Sequence, residues 1–447
     1  MLDRALHLVD DWWVAAAGIA FIIGSDYKFR TRPPGLAQGG GIDSSVMFEL
    51  ALYALVGAYL FLARFRIPRA RRVPLPLYLL GCFVLFSLLS VAWTPYPQYA
   101  LVRCVEACIL YAVVVVACMD GTRAHFHRFA HAYLVLIALS IAYGFVVPST
   151  PINNIQVGRF TWLAIHPTVS GAMMGLACVV ATGYLVAGRT RPGPTWPPVV
   201  YWVLLLVVAG GGIAAQTRGA LLGGIAGAFV VILSSRRGRA FVETALICIV
   251  LLAGVAIVGS SRIETYFQRG ENASELTTLN NRTELWDLAA EAIRKHPVFG
   301  NGITSSRGIF FSEIGLGGGH NAAINVLVEL GFLGFGIWVG IVLSLVVGVR
   351  RLTRAGPRSV APDRSILLGV ITFLVVDGNF FEGAGALANV ASTWFFMCVG
   401  WYVVARAFAT PRAGSTPAAG STNGVAPTNG AAPTNGAVPT NGAVPTD

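Results

Sequence analysis

Charged residues are scarce in this sequence. They make up 12 % of its 447 residues, and only two of the 32 basic residues are lysines, whereas charged residues make up about 25 % of an ordinary soluble domain. The 7 cysteines include no Cys-x-x-Cys pair, and no Asp-x-Asp pair occurs. These absences argue against a soluble enzyme, a zinc site and a metal-dependent transferase.

The sequence is instead rich in long apolar runs. Apolar residues make up 55 % of the chain, and runs of about 17 to 25 residues, long enough to cross a hydrocarbon core of about 30 Å as a helix, recur along it. The sequence therefore predicts an all-α polytopic membrane protein with about twelve transmembrane helices. We place these near residues 10–24, 46–63, 75–93, 100–119, 130–148, 168–187, 198–214, 219–235, 240–260, 321–349, 365–378 and 388–406.

Arginine is distributed unevenly between the two sides of these spans. The loops after the second, fourth, sixth, eighth and tenth spans carry seventeen arginines, whereas the short opposite loops carry only Arg159 and Arg218. The positive-inside rule then predicts that both termini and the arginine-rich loops are cytoplasmic. The N-terminus lacks a cleavable-signal pattern, so we expect the first span to stay as an anchor in a bacterial plasma membrane.

The same pattern divides the chain into four parts. Residues 1–260 hold nine spans, and residues 261–320 form one large extracytoplasmic loop, which we interpret as a catalytic loop containing short helices. Residues 321–410 hold three more spans. Residues 411–447 repeat Pro-Thr-Asn-Gly, a composition that predicts a disordered cytoplasmic tail because it has little apolar surface to bury.

Two arginines stand out on the outer side. Arg218 lies at the turn between two spans, where its guanidinium either binds a lipid-linked phosphate in a bidentate manner or reaches the lipid headgroups. Arg159 precedes the sixth span beside Phe160 and Trp162, which are interfacial or sugar-stacking aromatics.

The large loop carries a further candidate cation. The stretch that opens with Asn281 as N-cap and Glu284 three residues on predicts an amphipathic helix, which His296-Pro297 ends. Arg282 lies in its first turn, where the helix dipole favours anions, so it indicates either a bound anion or an ordinary surface arginine.

A histidine opens the tenth predicted span. His320 follows three glycines and either caps the helix or accepts a proton as a neutral ring. Asn321 is an alternative N-cap that would leave His320 available. Glu329, deeper in this span, pairs with another helix or takes part in the chemistry. The segment from Asp377 to Gly383 is either a plain loop or a holder of acidic groups near a cavity.

Together these short motifs resemble the O-antigen ligase and Wzy-type polymerase superfamily of bacterial membrane glycosyltransferases. The resemblance covers about residues 150–345. It depends on Gln216-Thr217-Arg218-Gly219-Ala220, on Arg282-x3-Trp286 with His296-Pro297-x-Phe299-Gly300-x-Gly302, and on His320-Asn321-x7-Glu329-x-Gly331-x2-Gly334.

The resemblance implies a GT-C-like fold and a reaction without metal, cofactor or nucleotide sugar. The donor would be a glycan on a polyprenyl phosphate or pyrophosphate, and the acceptor a hydroxyl of a glycan or lipid. Catalytic roles would fall to Arg218, Arg282 and His320, which would bind the carrier phosphates and orient or deprotonate the acceptor. Substrate contacts would come from residues close to these in the motifs, namely Arg159, His166, Trp286, Asn321 and Glu329.

Three other interpretations remain open at this level. A Wzy-like polymerase would use the same site with a growing lipid-linked chain as acceptor. A transporter of lipid-linked or anionic solutes would also need an arginine-lined cavity, although we find no repeat between the two halves of the chain. A scaffold for envelope assembly would use the tail. The arginines lie between spans rather than in one patch, so we expect membrane lipids and no nucleic acid as partners.

Overall fold

The structure is a computed structural model that describes residues 2–29, 43–64, 73–149, 158–187, 192–236, 282–314, 318–352, 360–385 and 387–409, with residues 242, 243 and 245. These ranges contain helices and no strand. The α-helices are α1 (Leu2–Asp26), α2 (Ser44–Tyr59), α3 (Leu75–Leu89), α4 (Pro97–Asp120), α5 (Arg123–Val146), α6 (Pro167–Ala187), α7 (Pro198–Ala214), α8 (Arg218–Ser235), α9 (Arg282–Lys295), α10 (Ser305–Ile314), α11 (Ala322–Arg351), α12 (Ala361–Asp377) and α13 (Val390–Ala409).

Within the described residues, 8 helical segments are long and apolar enough to cross a membrane, which confirms a polytopic all-α membrane protein. A helix lies at each predicted span except the ninth, near 240–260, which is almost wholly outside the described residues. The number twelve therefore stays a prediction. Most of the loop before residue 282 and the tail 411–447 also lie outside the described residues.

Local sequence signals explain where several helices begin and end. The side chain of Asp43 caps α2 by accepting hydrogen bonds from the backbone N–H groups of Ser45 and Val46, at 2.9 and 3.0 Å. Proline, which lacks a backbone N–H, stands in the first turn of α3, α4, α7 and α12. Gly121 follows α4 in the left-handed region, at φ 65°, so α5 begins after a very short turn.

One detail of the predicted spans is wrong, and one feature of the tenth span was not predicted. Arg123 and Arg128, which we assigned to a loop, lie in the first turns of α5 because the turn at Gly121 is so short. The tenth span is not one continuous helix. Gly331, at φ 63° and ψ −167°, interrupts α11, so the stretch from residue 332 to Arg351 spans about 30 Å by itself at about 1.5 Å per residue.

The connections that the sequence assigns to the outer side meet at one end of the helical bundle. There the backbone N–H of Ala164 donates to Lys28, that of Phe160 to Ala214 and that of Ala322 to Gly378, at 2.9, 2.9 and 2.7 Å. Thr94 reaches the carbonyl of Ile303 at 2.8 Å. We call this end the site end.

A buried polar cluster ties helices together at the opposite end. His127 of α5 hydrogen-bonds Asp363 of α12 at 3.0 Å, and the same carboxylate accepts from Trp401 of α13 at 2.7 Å. Arg123 pairs with its second oxygen at 2.8 Å. Asp363 is fully buried, so these partners satisfy an otherwise costly charge.

Candidate functional site

The turn between α7 and α8 presents Arg218 at a helix N-terminus. Gln216 adopts a left-handed conformation, at φ 50°, and Thr217 then serves as the N-cap of α8. Arg218 is therefore the first residue of α8, where unpaired backbone N–H groups and the helix dipole favour an anion. Gly219 is packed on Phe380, because an added Cβ would stand 2.5 Å from the Phe380 Cβ.

Arg159 is anchored over the same helix start. Its Nε donates to the carbonyl of Ala215 at 3.0 Å and its Nη2 to the hydroxyl of Thr217 at 3.2 Å. The Thr217 hydroxyl in turn donates to the carbonyl of Pro167 at 3.0 Å. Two of the predicted cations thus lie at one helix N-terminus, and Thr217 links them to the start of α6.

His166 lies immediately before α6 and faces the same place. Its Nδ1 accepts a hydrogen bond from the backbone N–H of Thr168 at 3.2 Å, so the neutral ring carries its proton on Nε2. The residue keeps solvent access, yet burial lowers the pKa of His166 to about 4, with further lowering from Arg159 and His320. The His166 ring therefore lines a recess that is open to solvent. Its interactions with Arg159 and His320 indicate that these three predicted residues lie close together.

His320 and Asn321 form the entrance to α11. The side chain of Asn321 accepts from the backbone N–H groups of Ala323 and Ile324 at 2.9 and 3.1 Å, which confirms the predicted N-cap. His320 is consequently not the cap. It is half-buried and adopts a left-handed conformation, at φ 47°, a backbone state that clusters at functional sites.

The conformation before His320 depends on small residues and one amide. The backbone N–H of Gly319 donates to Asn325 Oδ1 at 2.8 Å. A Cβ on Gly319 would stand 2.5 Å from the same oxygen. The absence of a side chain at Gly319 therefore lets Asn325 hold the backbone just before His320.

The break in α11 holds the loop motif that follows α9. The N–H groups of Asn301 and Gly302 donate to the carbonyls of Val328 and Glu329, at 2.9 and 2.8 Å. These carbonyls lack intrahelical partners because the helix is interrupted at Gly331. Backbone hydrogen bonds thus join the motif that follows α9 to the motif within α11.

Glu329 lies buried at this junction rather than open to the site. Its carboxylate accepts a hydrogen bond from the Ser306 hydroxyl, at 2.5 Å, next to the N-terminus of α10. An anion at a helix N-terminus is favoured by the dipole, so Glu329 holds α10 in place. The predicted pairing of Glu329 with another helix is confirmed.

Trp286 of α9 belongs to a second apolar cluster, separate from the main core. The stripe predicted for α9 packs on α10 and on the first half of α11, through Leu285, Ala289, Ala292, Phe310 and Val328. Trp286 packs against this cluster, and its indole N–H has no hydrogen-bond partner among the described residues. Arg282 begins α9, but its side chain lies outside the described part of the chain.

Sequence reasoning flagged the segment that contains Glu382 but missed Arg307, which faces it. Arg307 of α10 donates to the Tyr99 hydroxyl and lies 5.3 Å from the centre of the Tyr99 ring. Glu382, after α12, faces Arg307, and burial raises the pKa of Glu382 to about 7. The short eleventh span signalled acidic groups near a cavity, but nothing in the sequence joined them to α10.

Comparison with known proteins identifies one matching family model. The O-antigen ligase family model matches residues 202–339, from α7 into α11, and so confirms the resemblance to the O-antigen ligase and Wzy-type polymerase superfamily. No curated protein matches the chain. Among solved structures, it is similar to a chain described under "Structural coordination of polymerization and crosslinking by a peptidoglycan synthase complex", with 16 % identity, a TM-score of 0.45, and coverage of 74 % of this chain and 96 % of that one.

Proposed function

We propose that this protein is an O-antigen ligase-like transferase. It moves a glycan from a polyprenyl phosphate or pyrophosphate carrier to an acceptor hydroxyl at the outer face of a bacterial plasma membrane, without a metal or cofactor. The observation that carries the proposal is the convergence of Arg159, His166, Arg218 and His320 at one end of the bundle. The family match over residues 202–339 supports the reaction class.

The arginines of the site stabilise the leaving group of the donor. Departure of the carrier builds negative charge on its phosphate oxygens, and preorganised donors in a water-poor site stabilise such charge. Arg218 and Arg159, at the N-terminus of α8, bind these oxygens, and Arg282 from α9 completes the set. The neutral Nε2–H of His166 adds a hydrogen-bond donor without a further charge.

An apolar groove beside Arg218 suits the isoprenoid tail of the carrier. A cavity of about 330 Å³ lies between α6, α7 and α8, lined almost entirely by glycine, alanine and aliphatic side chains. It extends along α6 from Gly171 to Thr182, a rise of about 16 Å. Ile213 and Ile225 at its edge are exposed, so a lipid can enter from the side.

His320 belongs to the acceptor side, where it orients the acceptor hydroxyl for attack. A polymerase would use the same groups with a lipid-linked chain as acceptor, so the two activities differ in the acceptor bound and not in the chemistry. Trp286 and Asn321 are the further residues that we propose for contacts with the acceptor.

The test is the profile of lipid-linked and surface glycans in cells that carry Arg218→Ala, Arg282→Ala or His320→Ala. We expect each variant to insert normally and to lose transfer. Full-length chains stranded on the carrier indicate a ligase, and stranded single repeat units indicate a polymerase. Arg294→Ala, an exposed change on α9, is the matched control. Normal transfer in all three variants, with surface glycan lost only in a deletion, would instead indicate transport or scaffolding.

A further inference from the structure

Glu382 lies in the segment from Gly378 to Gly385, on which the start of α11 rests. The backbone N–H of Ala322 donates to the carbonyl of Gly378 at 2.7 Å. A Cβ on Gly385 would stand 2.6 Å from the carbonyl oxygen of Ala322. This segment and the residues around His320 therefore form one packed unit.

The carboxyl group of Glu382 fills the space that Gly318 leaves open. A Cβ added to Gly318 would stand 1.4 Å from Oε1 and 2.3 Å from Cδ of Glu382, distances that no real side chain tolerates. Gly318 is two residues before His320. The glycines before His320 thus admit a carboxyl group from a distant part of the chain to this loop.

The carboxyl oxygens of Glu382 can still accept hydrogen bonds from a substrate. The residue is half-buried, and its carboxyl group accepts no hydrogen bond from any other described residue. Arg307 of α10 faces it and lowers its pKa, which burial nevertheless raises to about 7. From α11, the buried carboxyl group of Glu329 faces it as well. A carboxyl group titrating near neutrality beside a candidate site is typical of acid–base catalysts.

His320 and Glu382 differ in the charged groups around them. His320 lies near His166, which in turn interacts with Arg159, whereas Glu382 faces Arg307 of α10 and Glu329 of α11. A proton taken up by His320 would place a new positive charge near Arg159 and His166. A proton taken up by Glu382 would instead relieve its repulsion with Glu329.

From this arrangement we infer that Glu382 is the acceptor-side catalytic base, which binds the acceptor hydroxyl and takes its proton during transfer. This inference rests on the proposed function. The acceptor oxygen forms the new bond to the anomeric carbon as the bond from that carbon to the carrier phosphate oxygen breaks. The electron pair leaves with the phosphate, which Arg218 stabilises, and the proton of the hydroxyl moves to the Glu382 carboxylate. His320 orients the acceptor.

The test is steady-state transfer by the full chain in lipid vesicles, with Glu382→Gln compared with the wild type from pH 5.5 to 8.5. A general base contributes about 10²- to 10⁴-fold, so we expect kcat to fall by that factor while binding of the lipid donor is unchanged. The wild-type rate rises with pH through about 7, because the base must be unprotonated. This rise is absent in Glu382→Gln. Glu291→Gln, on the exposed face of α9, is the control.

Gly318→Ala provides an independent test of the geometry. The alanine methyl group would occupy the position of the Glu382 carboxyl oxygen, so we expect Gly318→Ala to lower kcat as Glu382→Gln does. The double variant should have a kcat no lower than that of either single variant. A purely structural role for Glu382 would lower the melting temperature in membranes without removing the pH dependence, and that result would overturn the inference.

The two proposals fail in different ways. If Arg218→Ala abolishes transfer while Glu382→Gln keeps both its rate and the rise with pH, the transferase stands and Glu382 is not its base. If Arg218→Ala transfers normally, the proposed function itself is wrong.

Discussion

Gly300 and Gly331 lie back to back at the break in α11. A Cβ on Gly300 would stand 2.5 Å from the backbone nitrogen of Gly331, and a Cβ on Gly331 would stand 2.6 Å from that of Gly300. Both residues have positive φ, at 70° and 63°. This contact joins the loop after α9 to the helix that follows His320, and it admits no side chain on either residue.

Gly331→Ala should therefore separate the two motifs. At φ 63° and ψ −167° the backbone lies in a region that essentially only glycine occupies, and such a conformation costs another residue about 1 to 3 kcal/mol. The clash adds to this cost, so we expect a lower melting temperature in detergent and loss of glycan transfer. Gly336→Ala, in the same helix, is the matched control, because its Cβ would meet nothing within 4 Å. Equal behaviour of the two variants would show that the break is not required.

Asp363→Ala should destabilise the bundle from the opposite end. The change leaves His127 and Arg123 without their carboxylate in a buried environment, and removal of one partner of a buried ion pair costs about 3 to 5 kcal/mol. Thermal unfolding in lipid discs measures this loss. Asp287→Ala, on the exposed face of α9, should leave the melting temperature unchanged. A stable Asp363→Ala protein would mean that these helices do not depend on the cluster.

His166 should make stability depend on pH. Its pKa falls from an ordinary 6.5 to about 4 in the folded protein, so between these values the unfolded chain binds more protons. The contribution of His166 to the free energy of unfolding is then complete above about pH 6.5 and decreases as the pH falls toward 4. His166→Asn keeps an acceptor for the Thr168 N–H but does not titrate, and we expect it to flatten this part of the profile of melting temperature against pH.

The exposed His296→Asn is the matched control for that measurement. It leaves the recess unchanged, so its profile should follow that of the wild type. If His166→Asn also follows the wild type, another group is responsible for the pH dependence.

Thr217→Val should weaken donor binding without ending catalysis. The change removes the hydroxyl that accepts from Arg159 and donates to Pro167. One such hydrogen bond contributes about 0.5 to 1.5 kcal/mol, so KM for the lipid-linked donor should rise about 2- to 10-fold at similar kcat. Thr372→Val removes a hydroxyl that bonds only within its own helix, and it should leave KM unchanged. A fall in kcat alone would contradict this account of Thr217.

Local signals explain why much of the fold was predictable. Hydropathy located the described spans, the cap at Asn321 was confirmed, and α9 ends at Lys295, directly before His296-Pro297, as predicted. Each of these features depends on neighbours within about two helical turns. Hydropathy alone placed Arg123 in a loop. It does not show how short the turn at Gly121 is, and therefore where α5 begins.

Long-range contacts explain what the sequence could not reveal. Gly331 lies inside a predicted apolar span, and the docking of Gly300 is what shows why the helix breaks there. Glu382 and Gly318 are far apart in the chain, as are His127 and Asp363. The site residues Arg218 and His320 were selected from motifs, and their roles stay predictions.

The interruption of α11 also has an evolutionary consequence. The part of this helix before Gly331 contacts α9 and α10, whereas the groove between α6, α7 and α8 is lined by residues of those three helices. Under the proposed function, substitutions in α9 and α10 that fit a different acceptor would therefore leave the groove unchanged. Donor binding and acceptor choice would then be inherited on separate parts of the fold.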